Sequence, residues 1–207
     1  MKKQLKKGAR ITRYVVYKQT LIDVKEHFWS FIGAFVGIGL MAFFHSDSLT
    51  DYENLFLIGS FGASSVLVYG SIYSPLAQPR NLIGGHVVSA LIGVTVFQLL
   101  PDIIWITAPL AVALSIVLMQ ITKTLHPPGG ATALIAVIGS EKVKGLGYMY
   151  VVFPVFTGCL ILLLVALVFN NITKDRHYPT NRNFTRIFNF RSRIRVKKIL
   201  KKRGLTS

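Results

Sequence analysis

The chain has 207 residues, 52% of them hydrophobic, and a formal net charge of +16. A soluble nucleic-acid binder would mix such charge with its apolar residues, but here eight of the 24 Lys and Arg lie in 1–27 and twelve in 170–207, leaving Arg80, Lys123, Lys142 and Lys144 between. An apolar middle with basic ends excludes that class and is the pattern of an integral membrane protein; the single cysteine, Cys159, excludes an intrachain disulfide and reads as a packing residue.

The N-terminal arm, 1–27, stays charged to Lys25 and lacks a small-residue cleavage site, unlike a signal peptide. Ile11, Tyr14, Val15 and Ile22 share a helical face, so the arm is expected to lie along the membrane interface. Apolar runs follow at 28–44, 55–73, 82–100, 103–121 and 148–169, each long enough or nearly so to cross. A shorter run, 129–140, rises only about 18 Å as a helix against about 30 Å of hydrocarbon, and reads as a thin span or a re-entrant segment. With it counted, an all-α polytopic protein of six spans results, its transmembrane domain covering 28–169 and a basic tail following at 170–207. The bias of Lys and Arg toward the cytoplasm puts both ends there, and puts the acidic loop 45–54 outside. The segment SEKVKGLG, 140–147, is the exception, an external loop with two lysines. The ends are expected to attract anionic lipid head groups; the tail at 191–204 would suit any polyanion, but behind a membrane domain no nucleic acid is expected.

Proline and glycine interrupt this pattern twice, in SPLAQPRNLIGGHVVSALIGV (74–94) and in ITKTLHPPGGATALIAVIG (121–139). Aligning Gly84–Gly85 with Gly129–Gly130 suggests a parallel repeat of two broken helix pairs, each break carrying a cation, Arg80 or Lys123. Proline disfavours helix in the residue before it, so the helix ahead of His126 must stop, whereas Pro128 suits the first turn of a new one. Pro127 and Pro128 carry no N–H, which leaves Gly129 and Gly130 as expected bare donors at the positive end of a helix, an anion site. A tight turn at the membrane surface accounts for the same residues without a ligand.

The motif LHPPGGATAL (125–134), with SPLAQPRNLIGGH (74–86) before it, resembles the HPP family of integral membrane proteins over roughly residues 25–170. The resemblance implies several spans and a transporter; plastid and cyanobacterial members are associated with nitrite. Candidate substrate-binding residues are then His126, Pro127, Pro128, Gly129 and Gly130, with Arg80, Asn81, Gly84, Gly85 and His86 from the first break. Arg80 supplies a charge, Asn81 a neutral donor, and either histidine a proton. The plainer alternatives are an Arg80 that snorkels and histidines that bond nearby carbonyls. Ser60, Ser64, Ser65, Ser89, Thr95, Gln98, Ser115 and Gln120, with Gly33 and Gly37, read for the most part as helix-packing positions, with a path-lining role open to any of the serines.

The rivals are an enzyme, a scaffold and a channel. All eight acids lie in flanks or loops, no motif builds an oxyanion hole, and His27, His45, His86, His126 and His177 lack ligand spacing. The expectation is therefore a multi-pass cell-membrane transporter of a small inorganic anion, nitrite being one candidate, with no enzymatic activity, cofactor or metal. A channel, a non-transporting scaffold and assembly of several copies stay open.

Overall fold

In a computed structural model, the structure describes residues 24–45, 59–173 and 176–180. The interfacial arm with Ile11, Tyr14, Val15 and Ile22, the loop 46–54 and the tail at 191–204 lie outside the described residues. The described chain is helical, without strands.

The helices are α1, Val24–His45; α2, described over 59–70 and ending in a π-helical turn, Val66–Gly70; α3, Pro79–Leu99; α4, Ile104–Ile121; α5, Pro127–Ile138; α6, the short Glu141–Gly145; and α7, Val151–Phe169, kinked at Phe153, whose backbone (φ −130°, ψ 121°) is not helical. Helices α1, α3, α4 and α7 are long and apolar enough to cross a membrane. Their outward residues fit lipid: Phe28, Phe31, Phe35, Trp105, Leu164 and Val168 are all exposed. The protein is thus a multi-pass helical membrane protein.

Contacts set the directions. Trp29 meets Phe169 and Met41 meets Gly158, so α1 and α7 are antiparallel. A Cβ at Gly93 would lie 2.5 Å from the Ala133 carbonyl oxygen, and one at Gly129 would lie 2.9 Å from the Gly85 carbonyl oxygen. Helices α3 and α5 therefore run parallel, in the closest helix pairing of the bundle, along a seam of small residues spaced four apart: Gly85, Ser89 and Gly93 against Gly129 and Ala133. Helix α4 returns between them, Met119 near Ser89 and Ala111 near Val96. Among the described residues, α1 to α5 and α7 alternate in direction. The two described ends, near Val24 and Arg176, lie together at a basic end that also holds Arg80 and Lys123.

The reach of the 12-residue helix α5 depends on what precedes it. Helix α4 stops in a Schellman motif: Lys123 is left-handed (φ 57°), its N–H donates to Gln120 O (3.1 Å), and the Thr124 N–H donates to Met119 O (2.8 Å). The chain then dips extended into the bundle to His126 (φ −141°, ψ 103°), as the prolines demand. Three extended residues add about 10 Å to the helix's roughly 18 Å, close to a full hydrocarbon thickness. The dip and the helix together thus come near the length that a pass requires.

The far end explains the lysines of 140–147. Lys144 Nζ lies 3.1 Å from Asp102 Oδ2 in the α3–α4 turn and 3.5 Å from Glu141 Oε1, so its charge is locally balanced. The hydrogen bond to Asp102 is the main cause raising the Lys144 pKa. A raised lysine contributes stability in full below its ordinary value and loses it only as pH climbs through the raised one. Asp102→Asn should therefore lower stability by less than about 1 kcal/mol, equally at neutral and mildly acidic pH, because Asp102 is 61% exposed and screened by salt. Thermal unfolding in low and high salt checks this; a loss undiminished by salt would refute the pairing.

At the basic end the segment 176–180, within what the sequence reads as tail, packs on the bundle. Arg176 is 1% exposed. Its guanidinium donates to Glu26 O (3.1 Å), Ser30 Oγ (3.3 Å), Tyr69 O (2.8 Å) and Asn170 Oδ1 (2.9 Å), and pairs with Glu26 Oε2 (3.1 Å). The widened π turn of α2 leaves Tyr69 O and Val68 O for these partners, Asn170 Nδ2 taking the latter at 2.8 Å. The Tyr69 ring fills the notch left by Gly33 and Gly37, and its hydroxyl donates to Leu162 O (2.9 Å), as the packing reading of those glycines expects. Cys159 is buried, also in a packing position.

Candidate functional site

Extended backbone inside a bundle needs partners for its carbonyls. Asn81 Nδ2 in the first α3 turn supplies one to Leu125 O (2.7 Å), and its neighbour Arg80 donates from Nη2 to Thr122 O (2.7 Å), the α4 C-cap just ahead of the dip. Arg80 and Asn81 thus hold the dip in place, and both bond to protein in this structure. Gly84 and Gly85 make room for it. A Cβ on Gly84 would lie 2.5 Å from Thr124 Cγ2, and one on Gly85 would collide with His126 Cβ.

Two donor expectations are corrected. Helix α3 begins at Pro79, so Gly84 and Gly85 stand in its second turn, inside the helical ladder and not at its open end. The Gly129 N–H donates to His126 O (2.8 Å), because Pro127 and Pro128 sit at the first two helical positions and leave Gly129 to close the turn. Gly129 packs against Ser89 and Gly85, whereas Gly130 faces more open space, its nearest neighbour for a Cβ being Val112 at 3.8 Å. The glycine pairs also stand at different distances from their helix starts, Pro79 and Pro127, so the two breaks share ingredients but not register.

What the dip delivers is His126. It and His86 are both 0% exposed, with ring centroids 4.9 Å apart. Ser64 of α2 lies between them, its Oγ 2.7 Å from His86 Nε2 and 3.0 Å from His126 Nε2. On the outer nitrogens, His126 Nδ1 lies 2.9 Å from Leu76 O and His86 Nδ1 lies 2.6 Å from Thr132 Oγ1. Thr132 Oγ1 in turn meets Ser60 Oγ at 2.8 Å, and Ser60 reaches Pro128 O at a longer 3.4 Å. Phe61 packs on the His86 ring (4.9 Å), and Tyr150 donates to Thr132 O (3.1 Å). Helices α2, α3 and α5, with the dip, Leu76 ahead of α3 and Tyr150 ahead of α7, thus enclose one continuous polar chain within apolar surroundings.

The structure brings His86, His126, Gly85 and Gly129 together, keeps Arg80 and Asn81 one layer toward the basic end, and leaves Gly130 at the side. Sequence reasoning favours packing for Ser60 and Ser64, with a path-lining role left open, and passes over Thr132. The available signal is slight: Ser60 and Ser64 are four apart, hence on one helical face. Among the described residues no group of three or more His, Cys, Asp or Glu comes together to hold a metal.

The HPP transmembrane-region family matches residues 19–179, taking in every helix described above. The chain belongs to the HPP family. Two transmembrane proteins of Dictyostelium discoideum are 45% and 46% identical to it over 160 residues, 76% of this chain and 51% and 56% of theirs. The chain thus spans about half the length of the curated relatives it matches. No solved structure matches it. The match places the paired histidines of this HPP protein inside the shared region, whereas residues 1–18 and 180–207 fall outside it.

Proposed function

We propose that this HPP protein is a cell-membrane transporter of a small inorganic anion, with nitrite the first candidate. The observation that carries the reading is the pair of fully buried histidines joined through Ser64 at the foot of a helix break. A membrane anchor needs only apolar and small residues, whereas ionisable side chains inside a span are costly and mark paths for substrates or protons. The chemistry favours an anion: imidazole N–H and hydroxyl groups surround the site, and none of the partners described for the two rings is a carboxylate. Nitrite itself comes from the family resemblance. We place the basic end in the cytoplasm by the charge rule, with its cations against anionic lipid, and read no enzymatic step and no cofactor. Assembly into a homo-oligomer is compatible with this reading.

One observation favours a scaffold instead: every ring nitrogen already has a protein partner, as a purely structural network would require. Uptake into proteoliposomes separates the two. Nitrite should enter vesicles carrying the intact protein well above empty ones, be competed by nitrate or formate, and fall to background in His126→Ala and Ser64→Ala. Arg80→Gln should weaken uptake less, since Arg80 holds the dip and does not touch the histidines. Folded, correctly inserted protein that moves no anion would leave the scaffold reading.

A further inference from the structure

The polar chain has a direction, and partner chemistry sets it. A carbonyl oxygen only accepts, so His126 Nδ1 must carry a proton to bond Leu76 O (2.9 Å). A neutral His126 then has only a lone pair at Nε2, and Ser64 must donate to it. Having spent its one proton, Ser64 accepts from His86 Nε2, which leaves His86 Nδ1 as an acceptor. Thr132 donates there, and Ser60 donates to Thr132. Ser64 and Thr132 each donate once and accept once, Ser60 donates at the end of the chain, and all four ring nitrogens are satisfied. Ser64 also lies 3.2 Å from the Ser60 carbonyl, but a bond made there strips His126 Nε2 of its donor.

Adding one proton at the Ser60 end reverses the chain without leaving a group unpaired. Ser60 takes the incoming proton and passes its own to Thr132, and Thr132 passes its own to His86 Nδ1. His86 is then a cation that donates on both sides. If the proton moves on, His86 Nε2 gives its proton to Ser64, Ser64 gives its own to His126 Nε2, and His126 holds the charge. In either loaded state Thr132 donates to Ser60 and Ser60 turns to Pro128 O, the 3.4 Å contact unused before. One proton enters and one positive charge results. A second would put two cationic rings with centroids 4.9 Å apart, which their repulsion opposes.

We propose that Ser60, Thr132 and Ser64 form a proton relay through His86 and His126 that loads a single proton, and, resting on the transport reading above, that the anion moves with that proton. Among the described residues, the nearby ionisable groups are engaged elsewhere. Tyr150 is committed to Thr132 O, the Cys159 thiol faces Leu82 O (3.9 Å), and Arg80 is turned to Thr122 O.

Nitrogen NMR of histidine-labelled protein in bilayers tests the relay directly, with the two rings assigned from His86→Asn and His126→Asn. Near pH 8 the rings should be opposite tautomers, His126 protonated at Nδ1 and His86 at Nε2. On acidification His86 Nδ1 should gain a proton and the pair should take up only one. Identical tautomers at high pH, a His86 Nδ1 already protonated there, or uptake of two protons would overturn the relay. The transport arm uses nitrite with a pH dye inside the vesicles. Uptake should acidify the lumen and accelerate with an inward proton gradient; Thr132→Val should lose that acceleration, and Thr132→Ser should restore it. Nitrite entry with no proton movement would overturn the coupling. Absence of any anion uptake alongside the expected tautomers would instead remove the transport reading and leave the relay standing.

Discussion

Arg176→Ala should destabilise the protein by about 3–5 kcal/mol, the range seen when one member of a buried ionic network is removed. One side chain ties together Glu26 and Ser30 of α1, the Tyr69 carbonyl of α2 and Asn170 after α7. Burial is the main influence on its pKa and lowers it, with Glu26 acting in the opposite direction, so the surrounding acceptors offset a real desolvation cost. Remove the guanidinium and Asn170 Oδ1 loses this donor and Glu26 its counter-charge, whereas Tyr69 O keeps only the Ser30 hydroxyl (2.7 Å). Arg176→Lys should recover only part of the loss, because an ammonium cannot spread its bonds across a planar fork. Glu26→Gln should be milder, since the Glu26 side chain is 31% exposed and the neutral acceptors survive. Thermal unfolding in detergent would decide it. A midpoint for Arg176→Ala equal to that of the parent would show that the network is incidental.

Gly93→Ala carries the second large effect, and here two terms of opposite sign compete. In a helix, alanine is ordinarily better than glycine by roughly 0.5–1 kcal/mol. At Gly93 the added Cβ would lie 2.5 Å from Ala133 O, 2.7 Å from Ala136 Cβ and 3.0 Å from Ala133 Cα, none of which can swing aside. Overpacking typically costs about 1–3 kcal/mol, so the clash wins and α3 and α5 must separate. Gly39→Ala is the matched control: nothing lies within 4 Å of its Cβ position, so it should be neutral or slightly stabilising. If both variants melt alike, the α3–α5 seam is not close-packed in the membrane.

Much of the architecture is legible in the chain because the hydrocarbon demands long apolar runs. The runs 28–44, 82–100, 103–121 and 148–169 become α1, α3, α4 and α7, with starts displaced by a few residues where proline sets the first turn, as at Pro79. The run at 129–140 is visible only as a helix too short for its task. The missing length is non-helical backbone, tolerable there because Asn81, more than forty residues earlier, reaches the Leu125 carbonyl while Arg80 caps the end of α4 at Thr122 O. Nothing local announces that pairing. The same holds for Ser64: a serine on an apolar helix reads as packing until two histidines from different segments close on it. Arg176 is hidden differently, as one cation among the twelve Lys and Arg of 170–207.

The place of that arginine bears on how the molecule is made. Domains and segments form in order as a chain leaves the ribosome. Helices α1 and α2 are therefore synthesised long before the residue that joins them, and the carbonyls of Val68 and Tyr69 stay without Asn170 and Arg176 throughout. Insertion of the helices and closure of the basic end are thus separate events in biogenesis. The bundle is not finished when its last helix enters the bilayer, but when the few residues behind that helix fold back and latch it.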